Sequence, residues 1–283
     1  MTWGVLERNI NVLKAGSASN KYRITLDMIA KFIIETQKSR LDAHLIVGGQ
    51  NGMGKSYLQL ALAKTFLKFN NHPLDFRTAE MNDKLQFFFA QHKRENLRDA
   101  IKDKHNCVFV IDELRPFFDY KRSMTIEQTE LYNMVEIGRS HGNVFVGASR
   151  DYTKLDINYR NAKAQILIYL IDKVVDYSKL DGEGCYQTLF TYGAVFCGNP
   201  ALEHEDKFLF STMRGYSLET TKYLAEKLPT WVGNIVVENV AKYGVTKDDL
   251  TLYEKEKEIG IKQYSDAKMA TPRRRSVVDD DYE

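Results

Sequence analysis

The run Gly49-Gln50-Asn51-Gly52-Met53-Gly54-Lys55-Ser56 fits G-x-x-x-x-G-K-[ST] at every fixed position. With glycine at about 7% of residues, a chance match in such a chain is on the order of one per cent. The residue types explain themselves chemically. Glycines let backbone N–H groups close around a phosphate that a side chain would keep away. A following helix adds free N–H groups and a partial positive charge. Lys55 has the reach for β- and γ-phosphate oxygens, and the Ser56 hydroxyl is a Mg²⁺ ligand. The expected nucleotide contacts therefore run from Gly49 to Tyr57.

A second constellation, Val108-Phe-Val-Ile-Asp112-Glu113, is an apolar strand ending in two acids. At the carboxyl edge of a parallel sheet these carboxylates would stand beside the phosphate loop. Asp112 would complete the Mg²⁺ shell with Ser56, and Glu113 would act as general base toward water. Adjacent acids mark the class of site in which a glutamate next to the magnesium aspartate activates water. Alone such a pair is a common solvated strand end; following a phosphate loop it gains meaning. The third element is Glu136-Ile-Gly-Arg139-Ser-His-Gly-Asn143, a helix and glycine turn, followed by a strand ending in Ser149-Arg150. Ser149 or Arg150 would face the γ-phosphate. Arg139 reads equally as a solvated arginine favourable to a helix C-terminus.

The elements needed to position these groups are legible. Thr25–Ile34 has helical periodicity, with Thr25 as cap. A strand over Ala43–Val47, the glycine turn and a helix from Lys55 to about Phe69 give the order a phosphate loop requires. Strands are expected at Leu74–Thr78, Cys107–Ile111, Asn143–Ala148 and Ala164–Ile171, and helices over Leu85–Asp103 and Thr125–Ser140. This alternation argues a parallel, doubly wound sheet. Beyond Asp172 the pattern becomes antiparallel: Val174–Ser178, Cys185–Cys197 and Lys207–Thr212, with Asp181–Gly184 as a turn. Helices are expected at Ser217–Leu228 and Val232–Lys242. The charge-segregated end, with Arg273, Arg274 and Arg275, reads as a disordered tail. The expected divisions are 1–40 N-terminal helical segment, 41–215 core, 216–262 helical C-terminal part and 263–283 tail.

Composition sets outer bounds. The chain has 283 residues, 43% hydrophobic and 28% charged, with net charge +2. That is ordinary for a globular protein and leaves nucleic-acid contact to local patches. Cys107, Cys185 and Cys197 lack metal-ligand spacing and read as reduced thiols. The start carries an early acid and no apolar h-region, so it does not read as a signal peptide. No segment approaches eighteen uninterrupted apolar residues. The segment His92-Lys93-Arg94 with Arg98, Lys102 and Lys104, after Phe87-Phe88-Phe89, reads either as a track for a nucleic-acid backbone or as a solvated helix face behind a core aromatic run.

The order of phosphate loop, V-I-D-E, helix with G-R-x-H-G, strand ending in S-R, and then Asp156-Ile-Asn-Tyr-Arg160-Asn-Ala-Lys-Ala-Gln-Ile-Leu-Ile resembles the FtsK/HerA superfamily. That group includes DNA-pumping motors, conjugation ATPases and viral genome-packaging ATPases; the Zot-like phage assembly ATPases share much of the pattern. The resemblance spans roughly residues 43–171. It implies an α/β, RecA-like three-layer P-loop NTPase core with an antiparallel extension and a small helical C-terminal part. It implies Mg²⁺-dependent ATP hydrolysis in a homo-oligomeric ring, hexameric or pentameric, in the cytoplasm of a host or in a virion. Double-stranded DNA is the implied cargo; a capsid, coat or membrane protein is the alternative. Arg139 falls where the family carries an arginine that reaches a neighbour's nucleotide, and Arg160 falls on the arginine of the later segment. Ser149 stands where the family has a γ-phosphate-sensing glutamine, so that role is open between Ser149 and Arg150.

Overall fold

The structure, a computed structural model, describes residues 23–38, 43–70, 84–89, 94–119, 125–137, 141–160, 164–180, 186–198, 230–237 and 240–270. The expected strands at 74–78 and 207–212, the turn at 181–184, the helix at 217–228 and the tail from 271 onward lie outside these residues, as do His92, Lys93, Arg139 and Arg273–Arg275.

β1 (Arg23–Ile24) leads into α1 (Leu26–Lys38), whose first turn is capped by Thr25, its Oγ1 accepting from the Met28 amide at 3.3 Å. β2 (Ala43–Gly48) feeds α2 (Lys55–Phe69). β3 (Leu85–Phe88) precedes α3 (Arg94–Asp103); β4 (Val108–Ile111) precedes α4 (Ile126–Ile137), and β5 (Val144–Ser149) follows. The long β6 (Ala164–Leu180), β7 (Tyr186–Cys197), β8 (Trp231–Val237) and the C-terminal α5 (Lys247–Ala270) complete the described chain.

All eight strands share one sheet in the order β1-β8-β7-β6-β2-β5-β4-β3. From β6 through β3 every pairing is parallel; β6–β7 and β7–β8 are antiparallel, and β1 joins β8 in parallel. Every residue of β2, β4 and β5 is buried. Such strands are continuous apolar runs because helices cover both faces. One core lies under α1 and α2, with Leu45, Val47, Val110, Val146 and Ile168 facing Leu58, Leu62 and Phe66. The other lies under α3 and α4, with Ile46, Phe109, Phe145 and Leu167 facing Leu97, Ile101, Leu131 and Val135. This alternation along each strand makes the three-layer α/β architecture.

Three expectations need correction. The span 85–103 is not one helix: Leu85–Phe88 is an edge strand paired with β4, and only Arg94–Asp103 is helical. The aromatic run misled because a short apolar strand and a buried helix turn look alike by periodicity. Ala164–Ile171 and Val174–Ser178 are one strand, β6, whose irregularities at Leu170/Asp172 and Val174/Val175 imitate a break. Finally, Trp231–Val237 is a strand completing the antiparallel extension, not a helix, while the helix of this region is α5. α5 continues to Ala270, eight residues into the span expected to be tail. Its start is fixed by a reciprocal capping box: Asp249 Oδ2 accepts from the Thr246 amide at 2.7 Å, and Thr246 Oγ1 accepts from the Asp249 amide at 3.1 Å. No helix among the described residues is long and apolar enough to cross a membrane.

Candidate nucleotide site

The parallel strands β2, β4 and β5 end at one edge, where Gly48 pairs with Ser149 and Ile111 with Gly147. The glycine run lies on that edge. Gly49 has φ 140°, and a Cβ there would meet the Leu170 carbonyl oxygen at 2.9 Å, so β6 permits only glycine. Gly54 at φ 79° turns the chain into α2, whose first turn has no side-chain cap. Its N–H groups therefore point outward unclaimed by a capping side chain, as an anion site requires.

Lys55 Nζ donates to the carbonyls of Gly49 (2.9 Å) and Gln50 (2.8 Å), so the ammonium is folded back inside the loop. Burial lowers its pKa, opposed by the charges of Glu113 and Asp112. Ser56 Oγ donates to Asp112 Oδ1 at 3.0 Å, joining two motifs 56 residues apart. A hydroxyl and a carboxylate set side by side suit a small hard cation that takes its remaining oxygens from phosphate and water. Glu113 is next to it, its carboxyl pushed above the usual carboxylate range chiefly by burial, against the pull of the Arg115 backbone N–H and the Lys55 ammonium. Tyr57 is 45% exposed directly after the loop. The site therefore brings together Gly49–Tyr57, Asp112 and Glu113 as expected from the sequence.

Ser149 is buried at the end of β5, beside Gly48, and Arg150 is exposed with its charge felt at Lys55. Arg160 stacks its guanidinium over the Tyr152 ring, 5.1 Å from the centroid, in the layer beneath α3 and α4. Arg139 lies outside the described residues, which resume at His141. Asn143 accepts from the Cys107 amide at 3.0 Å and donates to the Lys104 carbonyl at 3.0 Å, fixing itself at the amino edge of β4 and β5. That is the opposite end of the strands from the phosphate loop.

Four side chains not singled out from the sequence also belong to this edge. Gln59 is fully buried and donates to the Ile111 carbonyl (2.8 Å) and the Val146 carbonyl (2.9 Å), binding α2 to the ends of β4 and β5. Its spacing from Ser56, one turn along α2, was the available signal. Lys173, on the extended part of β6, reaches the Gly52 carbonyl at 3.4 Å. Tyr253 and Lys257 come from α5: the Tyr253 hydroxyl donates to Asp112 Oδ1, and Lys257 Nζ lies 3.1 Å from Asp112 Oδ2. A one-turn spacing on a charged helix gives no sequence signal of such a role. Among the described residues no group of three or more His, Cys, Asp or Glu is placed to hold a metal ion.

Residues 45–170 match the family model of the ATPases associated with various cellular activities (AAA). The matched segment contains the phosphate loop and the acid pair. The structure is similar to the genome packaging NTPase B204 from Sulfolobus turreted icosahedral virus 2 in complex with ATP-gammaS, at 12% identity and TM-score 0.36, covering 55% of this chain and 92% of that one. It is also similar to the N-terminal domain of zonular occludens toxin from Neisseria meningitidis, at 12% identity and TM-score 0.38, covering 56% and 84%. No curated protein sequence matches the chain.

Proposed function

We propose that this P-loop ATPase domain hydrolyses ATP with Mg²⁺ and Glu113, and that the full chain couples turnover to movement of double-stranded DNA as a homo-oligomeric ring. The observation that carries the catalytic part is the Ser56–Asp112 contact at 3.0 Å, with Lys55 inside the loop and Glu113 alongside. Ser56 and Asp112 would hold Mg²⁺ there, and the ion would supply positive charge against the negative charge that develops on the phosphates. Lys55 exchanges the Gly49 and Gln50 carbonyls for phosphate oxygens. Free amides of the loop and of the first turn of α2 hold the β-phosphate. Glu113, ionised, takes the proton of the attacking water. Ser149 or Arg150, at the end of the adjacent β5, reads the γ-phosphate.

Arg139 falls where the FtsK/HerA group carries an arginine that reaches a neighbour's nucleotide, so in this reading it serves the nucleotide of another copy; Arg160 is the alternate. The DNA reading rests on the order of motifs shared with the FtsK/HerA group. The α3 side chains lend it little. Arg94 Nη2 donates to the Pro116 carbonyl at 3.0 Å, and Arg98 is engaged by Glu130 (2.9 Å) and Asp99 (3.3 Å). Phe88 and Phe89 are buried. That helix face is structural, and Lys102 is its exposed cation.

ATP turnover with and without long duplex DNA at two salt concentrations tests the coupling. With roughly six to ten phosphates neutralised around a ring, affinity falls by about 10³–10⁵ between 50 and 200 mM salt, independent of sequence, and stimulation falls with it. If duplex neither binds nor stimulates at low salt while a coat or membrane protein does, the chain instead drives virion or protein assembly, of the Zot or conjugation type.

A further inference from the structure

The Asp112 carboxylate, 13% exposed, is occupied from two sides. Ser56 and the Tyr253 hydroxyl donate to Oδ1; the Lys257 ammonium lies 3.1 Å from Oδ2 and 3.4 Å from Oδ1. These are the oxygens that a Mg²⁺ ion held by Ser56 and Asp112 would need. α5 is delivered to this point by a firm anchor. Lys64 on α2 and Asp249 form a buried pair at 3.0 Å, 2% and 4% exposed. The Tyr253 ring packs on Phe87 (5.7 Å between centroids) and Phe89 (5.4 Å). Lys257 differs: it is 39% exposed, one turn beyond the anchored part, and its long stem can swing without unseating the helix. Its charge is felt at Lys55, so it faces the phosphate loop.

We propose that α5 is a latch on the nucleotide site, in which Lys257, supported by Tyr253, takes the place of the divalent cation on Asp112 until a nucleotide–Mg²⁺ complex displaces it. The inference rests on the nucleotide reading of this site. Two cations on one carboxylate repel, so Lys257 leaves Asp112 when the ion enters. The ammonium is then free to turn toward the phosphate chain.

The test is a Mg²⁺ titration of the full chain at fixed fluorescent ATP analogue, read by anisotropy. Lys257→Met is expected to lower the Mg²⁺ midpoint by about two- to fivefold, the range of a half-exposed ion pair. Lys257→Arg keeps the charge and restores the wild-type midpoint. Tyr253→Phe, which retains the ring against Phe87 and Phe89, shifts it in the same direction as Lys257→Met. A midpoint unchanged or raised in Lys257→Met overturns the latch while leaving the nucleotide site standing. Analogue binding that survives Lys55→Ala intact overturns the nucleotide reading itself, before any comparison at Lys257.

Discussion

Lys55, Ser56, Asp112 and Glu113 share the proposed nucleotide site, and their substitutions should separate cleanly. Lys55→Ala removes the phosphate contact, so nucleotide binding weakens and turnover is lost. Glu113→Gln keeps shape and hydrogen bonding but removes the base. It should bind ATP with Mg²⁺ normally and hydrolyse it about 10²–10⁴-fold more slowly in single-turnover assays. Near-normal turnover in Glu113→Gln would reassign the base. Gln59 supports the site from behind. Gln59→Leu leaves the Ile111 and Val146 carbonyls without their side-chain donor in a buried place. It should lower stability by about 1–3 kcal/mol in urea unfolding and weaken nucleotide binding with it.

At the scale of elements, α5 is tied to α2 by the Lys64–Asp249 pair and to the β3 edge by Tyr253 on Phe87 and Phe89. Lys64 belongs to the long buried stretch Leu58–Leu67 of α2, and Asp249 both caps α5 and answers that charge. Asp249→Ala would remove the buried carboxylate paired with Lys64 and the capping carboxylate together. We expect a loss of about 3–5 kcal/mol in urea unfolding. Asp248→Ala, one residue earlier and exposed, should stay within about 0.5 kcal/mol of wild type. Equal effects at the two positions would show that the buried pair does not fix α5. β6 has a comparable bridging role: its first half pairs with β2 in parallel, and its second half carries Lys173 to the phosphate loop while pairing with β7.

For the whole molecule, the separation of the two sheet edges has a consequence. The phosphate loop lies at the carboxyl edge, while Asn143, immediately before β5, is fixed at the amino edge. An arginine supplied in trans meets charge spread over the γ-phosphoryl oxygens and is worth roughly 10³–10⁵ in rate. If Arg139 acts this way, specific activity rises with protein concentration. Arg139→Ala would then recover turnover when mixed with Lys55→Ala, since each mutant supplies what the other lacks. A concentration-independent activity from a monomer would remove the ring from the proposal.

The amino-acid sequence by itself determined the phosphate loop, the acid pair, the strand–helix alternation and the two-sided burial of β2, β4 and β5. Each of these is written in residues close together in the chain: glycines at positions of positive φ, a lysine at fixed distance, apolar runs of strand length. The same local signals failed where neighbours in space decided. Leu85–Phe88 became a strand because β4 offered an edge, and Trp231–Val237 because β7 did. α5 was invisible as part of the site for the same reason. Tyr253 and Lys257 lie 141 and 145 residues from Asp112, and nothing in a charged, solvated helix marks which turn will face a carboxylate. Only the tertiary structure decided it. The buried Lys64–Asp249 pair sets where α5 lies on the core, and position along the helix then delivers the hydroxyl and the ammonium to Asp112.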